Sequence, residues 1–414
     1  MNDVTLADNI IDPSIFPAQE GPPHELFDKW RAEDPVHWNP ANPDYVTPVE
    51  SSTGVSGFYV LTRYQDVLDV SMDQDLFSSY EGGITVWDWT PEQMPIQRSN
   101  FMVMKPDDHK AVKKVVMPPF MPRALQAIEP QVDKLAAEII DSVADRGECE
   151  FVFDVASRLP VYTFCELMGI PEELRDTVAE LGNGISDVET RSSHEVDPMM
   201  GLFQIATELA EEKRKNPDEG LMSAMANDTT LNLDPMQINQ FFIVFAMAGH
   251  ETTRSTAAHF INLMHKYPDQ YALLTSDFDA HIDNAIDEVL RYTSTTTNFR
   301  RTATEDTTIG GVEVKKGAKI YMSYAAANRD PEVFEDPHRF DITRSNAKRH
   351  LAFGVGPHIC VGARLAKMQL RALLKEIVER IPDIRPSRQP EWMPSIWFNA
   401  IINMPVQFAR EKKT

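Results

Sequence analysis

The chain has little cysteine, no basic surplus and no long apolar run, and each shortage excludes a class of protein. Three cysteines in 414 residues, Cys149, Cys165 and Cys360, are too few for a disulfide framework and fit a reducing compartment. Lysine and arginine number 40 against 63 acids, and the resulting net charge of -23 disfavours binding to nucleic acid. The longest uncharged apolar stretch lies between Asp234 and Glu251. It falls short of the roughly 20 residues that a membrane span needs, so a buried helix is expected there instead. The opening Met1-Asn2-Asp3-Val4-Thr5-Leu6-Ala7-Asp8 has no basic region followed by an apolar one. No secretion signal is therefore read, and the cytoplasm is the expected location.

What is present reads as a globular protein, with 42% hydrophobic and 25% charged residues. Residues 1–50 are rich in proline and acid and read as a surface lead-in with one helix near His24 to Arg31. Gly57-Phe58-Tyr59-Val60-Leu61-Thr62 has the composition of a strand, and a helix is expected from Tyr64 to Met72. Residues 80–104 lose periodicity and carry Trp87, Trp89, Pro91 and Pro95, an aromatic loop that either covers a ligand or packs on the surface. From about Leu125 to Lys266, amphipathic helical stretches alternate with breaks such as Gly169-Ile170-Pro171, without a fixed repeat. Gly310-Gly311 between two strand-like runs predicts a hairpin. Residues 330–362 are irregular, and a helix follows with Leu370, Leu373, Leu374, Ile377, Val378 and Ile381 on one face. The expected fold class is mainly α with a minor β region.

One cysteine stands apart. Phe353-Gly354-Val355-Gly356-Pro357-His358-Ile359-Cys360-Val361-Gly362 places Cys360 between glycines at a loop-to-helix junction. Glycine permits left-handed backbone and close approach of a flat ligand. Amides and the positive end of the following helix would favour a thiolate, which is what a soft metal takes. A buried thiol in a glycine turn is the bland alternative. Zinc and iron–sulfur sites need several protein ligands, and no second cysteine lies nearby. A dinucleotide fingerprint starting at Gly354-Val355-Gly356 fails because its third glycine position holds Ile359.

A second signal interrupts the apolar stretch, where Ala248-Gly249-His250-Glu251-Thr252-Thr253 brings glycine, an acid and hydroxyls into a helix expected over residues 235–266. Such groups cost stability in a buried helix unless something uses them, and back-bonding of threonine onto helix carbonyls is the local alternative. His250-Glu251 begins a zinc-protease motif, but Arg254 stands where its second histidine belongs. Glu288-Val289-Leu290-Arg291 adds an opposite-charge pair three residues apart, most often a solvated surface pair.

Taken together, Phe353, Gly356, Cys360 and Gly362 match a long signature, and the chain resembles the cytochrome P450 family. The central helix, the Glu288-Arg291 pair, Asn328-Arg329-Asp330-Pro331 and the cysteine loop follow in the family's order. The resemblance implies a single P450 domain over residues 1–414, triangular and helix-rich, holding haem b (iron protoporphyrin IX). It makes Cys360 the axial iron ligand, with Phe353, Gly354, Gly356 and Gly362 shaping its loop and Ala248 and Gly249 facing the haem. Glu251 and Thr252 take the acid and alcohol roles in proton delivery. His109, Arg301 and His358 become partners of the haem propionates. Lys113 stands where the family usually has arginine and offers a charge without the bidentate fork. Glu288, Arg291 and Arg339 form a buried ionic lock.

The implied reaction is hydroxylation of an apolar small molecule (terpenoid, steroid-like, hydrocarbon or aromatic) by dioxygen and two electrons. A peroxide-driven peroxygenase and a haem-based ligand sensor are the rival readings. Trp87, Val244, Ala248, Thr295, Thr297 and Phe398 are the substrate-pocket residues by family placement. The expected partners are a ferredoxin and a flavin-containing reductase, steered by Lys110, Lys113, Lys114, Arg344, Lys348 and Arg349, with the protein a monomer away from membranes.

Overall fold

The structure is a computed structural model that describes residues 9–12, 15, 20–41, 56–186 and 197–411. The expected lead-in therefore lies partly outside the described residues. Packing divides the chain into two compact units. The first comprises Met1–Lys110, Asp287–Cys360 and Trp392–Asn399, and the second Ala111–Ile286, Val361–Glu391 and Ala400–Thr414.

The first unit is built on a five-stranded sheet in the order Val36–Asn39, Phe58–Leu61, Lys319–Ser323, Asn298–Ala303, Phe77–Ser78. Its central strand Lys319–Ser323 is buried along its whole length because the sheet is covered on both faces. Alternation then sorts its side chains. Ile320 and Met322 join a core with Leu61, Tyr64, Val67 and Phe334, whereas Tyr321 joins a second core with Phe27, Trp30, Phe58 and Ile396. The helices His24–Glu33 and Tyr64–Met72 form where the sequence placed them. Asp330 caps the second of these by accepting the Tyr64 amide at 2.8 Å. Strands Thr307–Ile309 and Val312–Val314 make the expected hairpin. Gly310 and Gly311 have φ of 56° and 86°, the two positive angles that a two-residue type I′ turn requires.

The second unit is dominated by helices. Its longest, Pro235–Lys266, is the expected central helix. Asp234 and Gln237 form a reciprocal capping box at its start, with side-chain to amide distances of 2.8 and 3.0 Å, and Pro235 occupies the first turn. Helices Arg158–Met168, Arg175–Ser186 and Pro198–Lys215 pack on it. The helix Ala363–Arg380 buries Leu370, Leu373, Leu374 and Ile377 as its pattern predicts, while Val378 is only half-buried and Ile381 lies just past the end. Arg380 then ties Asp141, Glu376 and Glu411 together at 2.6, 3.4 and 2.5 Å. Strand Pro405–Gln407 closes a small sheet with Glu148–Glu150 and Arg385–Pro386. Among the described residues, no helix is long and apolar enough to cross a membrane. The architecture is thus mainly α with minor sheets.

Candidate active site

The cysteine loop is fastened at its start and open at its tip. The Leu351 amide donates to Asn328 Oδ1 at 2.6 Å, and Asn328 Nδ2 donates to Ser294 Oγ at 2.9 Å. The Ala352 amide meets His350 Nδ1 at 3.1 Å, and the other ring nitrogen of His350 faces Asp287 at 3.2 Å. From there the chain turns back on itself, with the Cys360 amide donating to the Phe353 carbonyl at 2.8 Å. Gly354 and Gly356 take φ of 66° and 74°, left-handed values that few other residues tolerate. At Gly356 a Cβ would also come 2.9 Å from the Ser71 carbonyl. Cys360 emerges exposed, two residues before the Gly362 cap of helix Ala363–Arg380. A sulfur there lies near the positive end of the helix, which favours the thiolate.

Two of the anion-binding candidates meet in the same unit. His109 is buried, and its ring stacks on His358 at 4.2 Å between centroids. Lys113 lies one turn further along the helix Pro106–Val116 and is half-buried. Arg301 is buried on strand Asn298–Ala303 and donates to the Arg300 carbonyl at 2.8 Å. No carboxylate pairs with it among the described residues, and burial pulls its pKa down. A desolvated guanidinium with donors to spare needs an anion, and a propionate fits.

In the second unit the central helix is buried at Phe241–Phe245 and from Thr253 to Met264, yet Met247, Ala248 and Gly249 are exposed between them. A Cβ at Gly249 would touch nothing within 4 Å. The helix therefore presents open space over small residues where a flat group needs clearance. Just beyond, the Glu251 carboxylate is buried, pairs with Arg254 at 2.5 Å and accepts the Ser255 hydroxyl at 2.9 Å. Arg254 reaches Asn183 Oδ1 at 3.4 Å. Thr252 Oγ1 donates to the Ala248 carbonyl at 2.6 Å, so the back-bonding alternative is the one adopted. That bond uses the hydroxyl hydrogen and leaves the oxygen able to accept.

His250 is fully enclosed, and burial, with Arg254 second, pulls its pKa down to about 3. Unfolded, the ring gains a proton below its ordinary 6.5, whereas the folded ring stays neutral down to about 3. The unfolded chain thus binds more protons in that window, and His250 removes stability progressively as pH falls through it. His250→Gln should hold its fold to lower pH than the parent, by roughly half a unit or more in an acid-unfolding titration. Coincident titrations would discount the ring.

The ionic lock forms with one member changed. Arg291 grips Glu288 through two bonds of 2.7 and 2.8 Å, and both side chains are fully buried. Arg339 does not join through its side chain, which is exposed and lies 3.6 Å from Asp341. The third partner is Arg344, whose Nε lies 3.2 Å from Glu288 Oε1. The reason is local: Phe340 takes the inward position, leaving its neighbour Arg339 outward, and the turn from Asp341 brings Arg344 back. Only the Arg339 carbonyl contributes, accepting from Arg291 at 3.2 Å. Arg344 must also leave the expected basic surface, since it is buried against Glu288.

The pocket residues divide. On the central helix Val244 is buried and Ala248 exposed. In the first unit Trp87 is partly buried against the core containing Ile396, and Phe398 bridges to Thr296 and stacks on Trp397 at 5.3 Å. Thr295 is buried, and its carbonyl accepts the Asn399 amide at 2.8 Å. Thr297 is fully buried, and its hydroxyl donates to the Ile396 carbonyl at 2.6 Å. It fastens two chain segments instead of offering that hydroxyl to a ligand.

Arg344 was expected on a basic surface and Asn328 only within a motif, while the His350-Asp287 pair and the Arg254-Glu251 pair were not foreseen. The last had a signal, since an acid and a base three apart on a helix face each other.

The chain matches the family model "Cytochrome P450" over residues 190–391. It is 34% identical over 398 residues to a steroid C26-monooxygenase of Mycolicibacterium smegmatis, covering 93% of this chain and 90% of the relative. It is 32% identical to a linalool 8-monooxygenase of Pseudomonas putida, covering 95% and 97%. A solved cytochrome P450 of Mycobacterium marinum, in complex with pseudoionone, superposes with a TM-score of 0.85 at 33% identity, covering 93% of this chain and 94% of that one. Likeness of this extent, along nearly the whole length, means that the chain belongs to the cytochrome P450 family and is a haem-dependent monooxygenase.

Proposed function

We propose that Cys360 supplies the axial thiolate to haem b and that the enzyme hydroxylates an isoprenoid-type apolar substrate. The exposed sulfur at the head of a helix, on a loop fastened through Asn328 and His350, is the observation that carries this reading. Bound there, the haem supplies the redox centre at which dioxygen and two electrons yield a hydroxyl group and water. Phe353, Gly354, Gly356 and Gly362 shape the loop around the sulfur. His109, His358 and Arg301 hold the propionates, with Lys113 as a further point charge. Ala248 and Gly249 leave clearance on the central helix.

Glu251 and Thr252 move protons. Thr252 Oγ accepts from water while its hydrogen rests on Ala248, and passes a proton on when that hydrogen turns away. Glu251 recharges the chain, held meanwhile by Arg254 and Ser255. Thr252→Ala should cut product formed per electron roughly tenfold and release peroxide instead, with Thr252→Ser restoring most of the coupling. Normal coupling in Thr252→Ala would remove the residue from the relay.

The relatives named for a steroid and for linalool, and the neighbour holding pseudoionone, share isoprenoid skeletons, which supports that substrate class. Steroids, acyclic terpenoids, alkanes and simple aromatics should be compared by substrate-induced change of iron spin state, and the first two groups should respond most strongly. A ferredoxin with its flavin-containing reductase is the proposed electron source, received by Lys110, Lys113, Lys114, Lys348 and Arg349 in the cytoplasm. Reconstitution with that pair should outpace peroxide alone. The reverse order would favour a peroxygenase.

A further inference from the structure

Within the first unit, a buried group of charges far from Cys360 in sequence grips the aromatic loop residue by residue. Arg300 and Lys319 lie on adjacent antiparallel strands, where Thr302 pairs with Lys319, so Arg300, Thr302 and Lys319 share one sheet face. The Arg300 amide donates to the Ile84 carbonyl at 2.8 Å. Its guanidinium donates to the carbonyls of Thr85 and Trp87 at 3.2 and 3.1 Å and to Thr302 Oγ1 at 3.2 Å. Lys319 Nζ donates to the Val86 carbonyl at 3.0 Å, the Ser56 carbonyl at 3.2 Å and Asp88 Oδ2 at 2.6 Å. Asp88 also faces Arg300 at 3.7 Å and accepts the Ser56 amide at 3.0 Å. Every residue from 84 to 88 is thus held by Arg300 or Lys319, Ile84 through the Arg300 backbone amide and residues 85–88 through the two side chains.

The arrangement is expensive. Two buried cations share one carboxylate, and burial pulls Lys319 down to about 8 and Arg300 to about 10. Among the described residues, Arg300 Nε is buried without a hydrogen-bond partner. Gly82 leaves room for the guanidinium, since a Cβ there would collide with Arg300 Nη2. Apolar side chains would attach a loop at lower cost, whereas bonds to successive carbonyls fix its conformation. The segment so fixed carries Trp87 and Asp88 and runs on to Trp89.

We propose that Asp88, Arg300 and Lys319 act as positioning residues that hold loop 84–88 in one conformation and so determine which apolar substrates the monooxygenase admits. Of the two readings open for residues 80–104, this rests on the one in which the aromatic loop covers a ligand, and on the monooxygenase reading above. The latch meets the haem-binding residues only at the Arg300 carbonyl, which accepts from Arg301, and substitutions at Lys319 or Asp88 leave that backbone bond in place, so loss of either side chain spares the thiolate chemistry and loosens selection.

The test uses the haem-loaded enzyme with Lys319→Met and, separately, Asp88→Asn, which keeps size and leaves the cations in place. Amide hydrogen exchange over residues 84–88 should speed up by about tenfold or more in either variant. The ranking of steroids, terpenoids, alkanes and aromatics by spin-state titration should change, with at least one relative affinity moving by about tenfold. The thiolate-type spectrum of the reduced carbon-monoxide complex should stay that of the parent. Unchanged exchange in both variants would overturn the latch, and faster exchange with an unchanged ranking would overturn its role in selection. Failure of the haem-thiolate reading shows separately, as absence of that spectrum from the parent enzyme.

Discussion

Cys360→Ala should abolish the thiolate-type absorption band of the reduced, carbon-monoxide-bound protein and lower turnover by at least about three orders of magnitude. Haem has four nitrogens of its own and takes one strong proximal ligand from the protein, so no neighbour shares the load. The other two thiols offer no substitute, because burial pushes both Cys149 and Cys165 up to about 12. Cys360→His should retain iron binding through imidazole while losing the thiolate-type band, separating loss of the ligand from loss of the haem. A thiolate-type band surviving in Cys360→Ala would refute the assignment.

Breaking the ionic lock should cost the fold most. Glu288→Ala leaves Arg291 fully buried with its anion gone, a change worth about 3–5 kcal/mol. That is a large part of the 5–15 kcal/mol or so that holds a typical domain together. Soluble, haem-loaded yield should collapse, and the urea midpoint of what survives should fall steeply. Arg344→Ala removes one bond of 3.2 Å to Glu288 and its carbonyl contacts, and about 1–3 kcal/mol is expected. Arg339→Ala, at an exposed side chain, should stay within about 0.5 kcal/mol. The order of these three variants distinguishes the observed lock from the one that the sequence motif suggests. Arg339→Ala matching Glu288→Ala would reverse the assignment.

That correction shows what sequence carries and what it withholds. The two-residue turn at Gly310-Gly311 and the apolar face of Ala363–Arg380 were readable because they depend on neighbours in the chain. The loop-to-helix junction at Cys360 was readable because its glycines and the helix after it are local as well. Arg339 and Arg344 are both arginines near Phe340, and only tertiary packing decides which one turns inward. The bond of the Thr297 hydroxyl was hidden for the same reason, since its acceptor at Ile396 is 99 residues away. The Lys319-Asp88 pair spans 231 residues, and neither residue has any sequence feature that names the other. Arg254 was within reach of a local reading, one turn from Glu251, but its significance lay in the motif it ended and not in the charge it brought.

The two thiols other than Cys360, Cys149 half-buried and Cys165 buried, give the experimenter something unplanned. Burial pushes Cys149 and Cys165 up to about 12, which disfavours the thiolate that alkylating reagents attack. Cys360, exposed at its loop tip, is left as the reactive sulfur in the native chain. On the proposed ligation, labelling stoichiometry becomes a gauge of cofactor loading, expected to run from about one label per chain in the apoprotein towards none as haem covers the sulfur. Alkylation itself becomes a footprint of assembly, readable by mass without any assay of turnover.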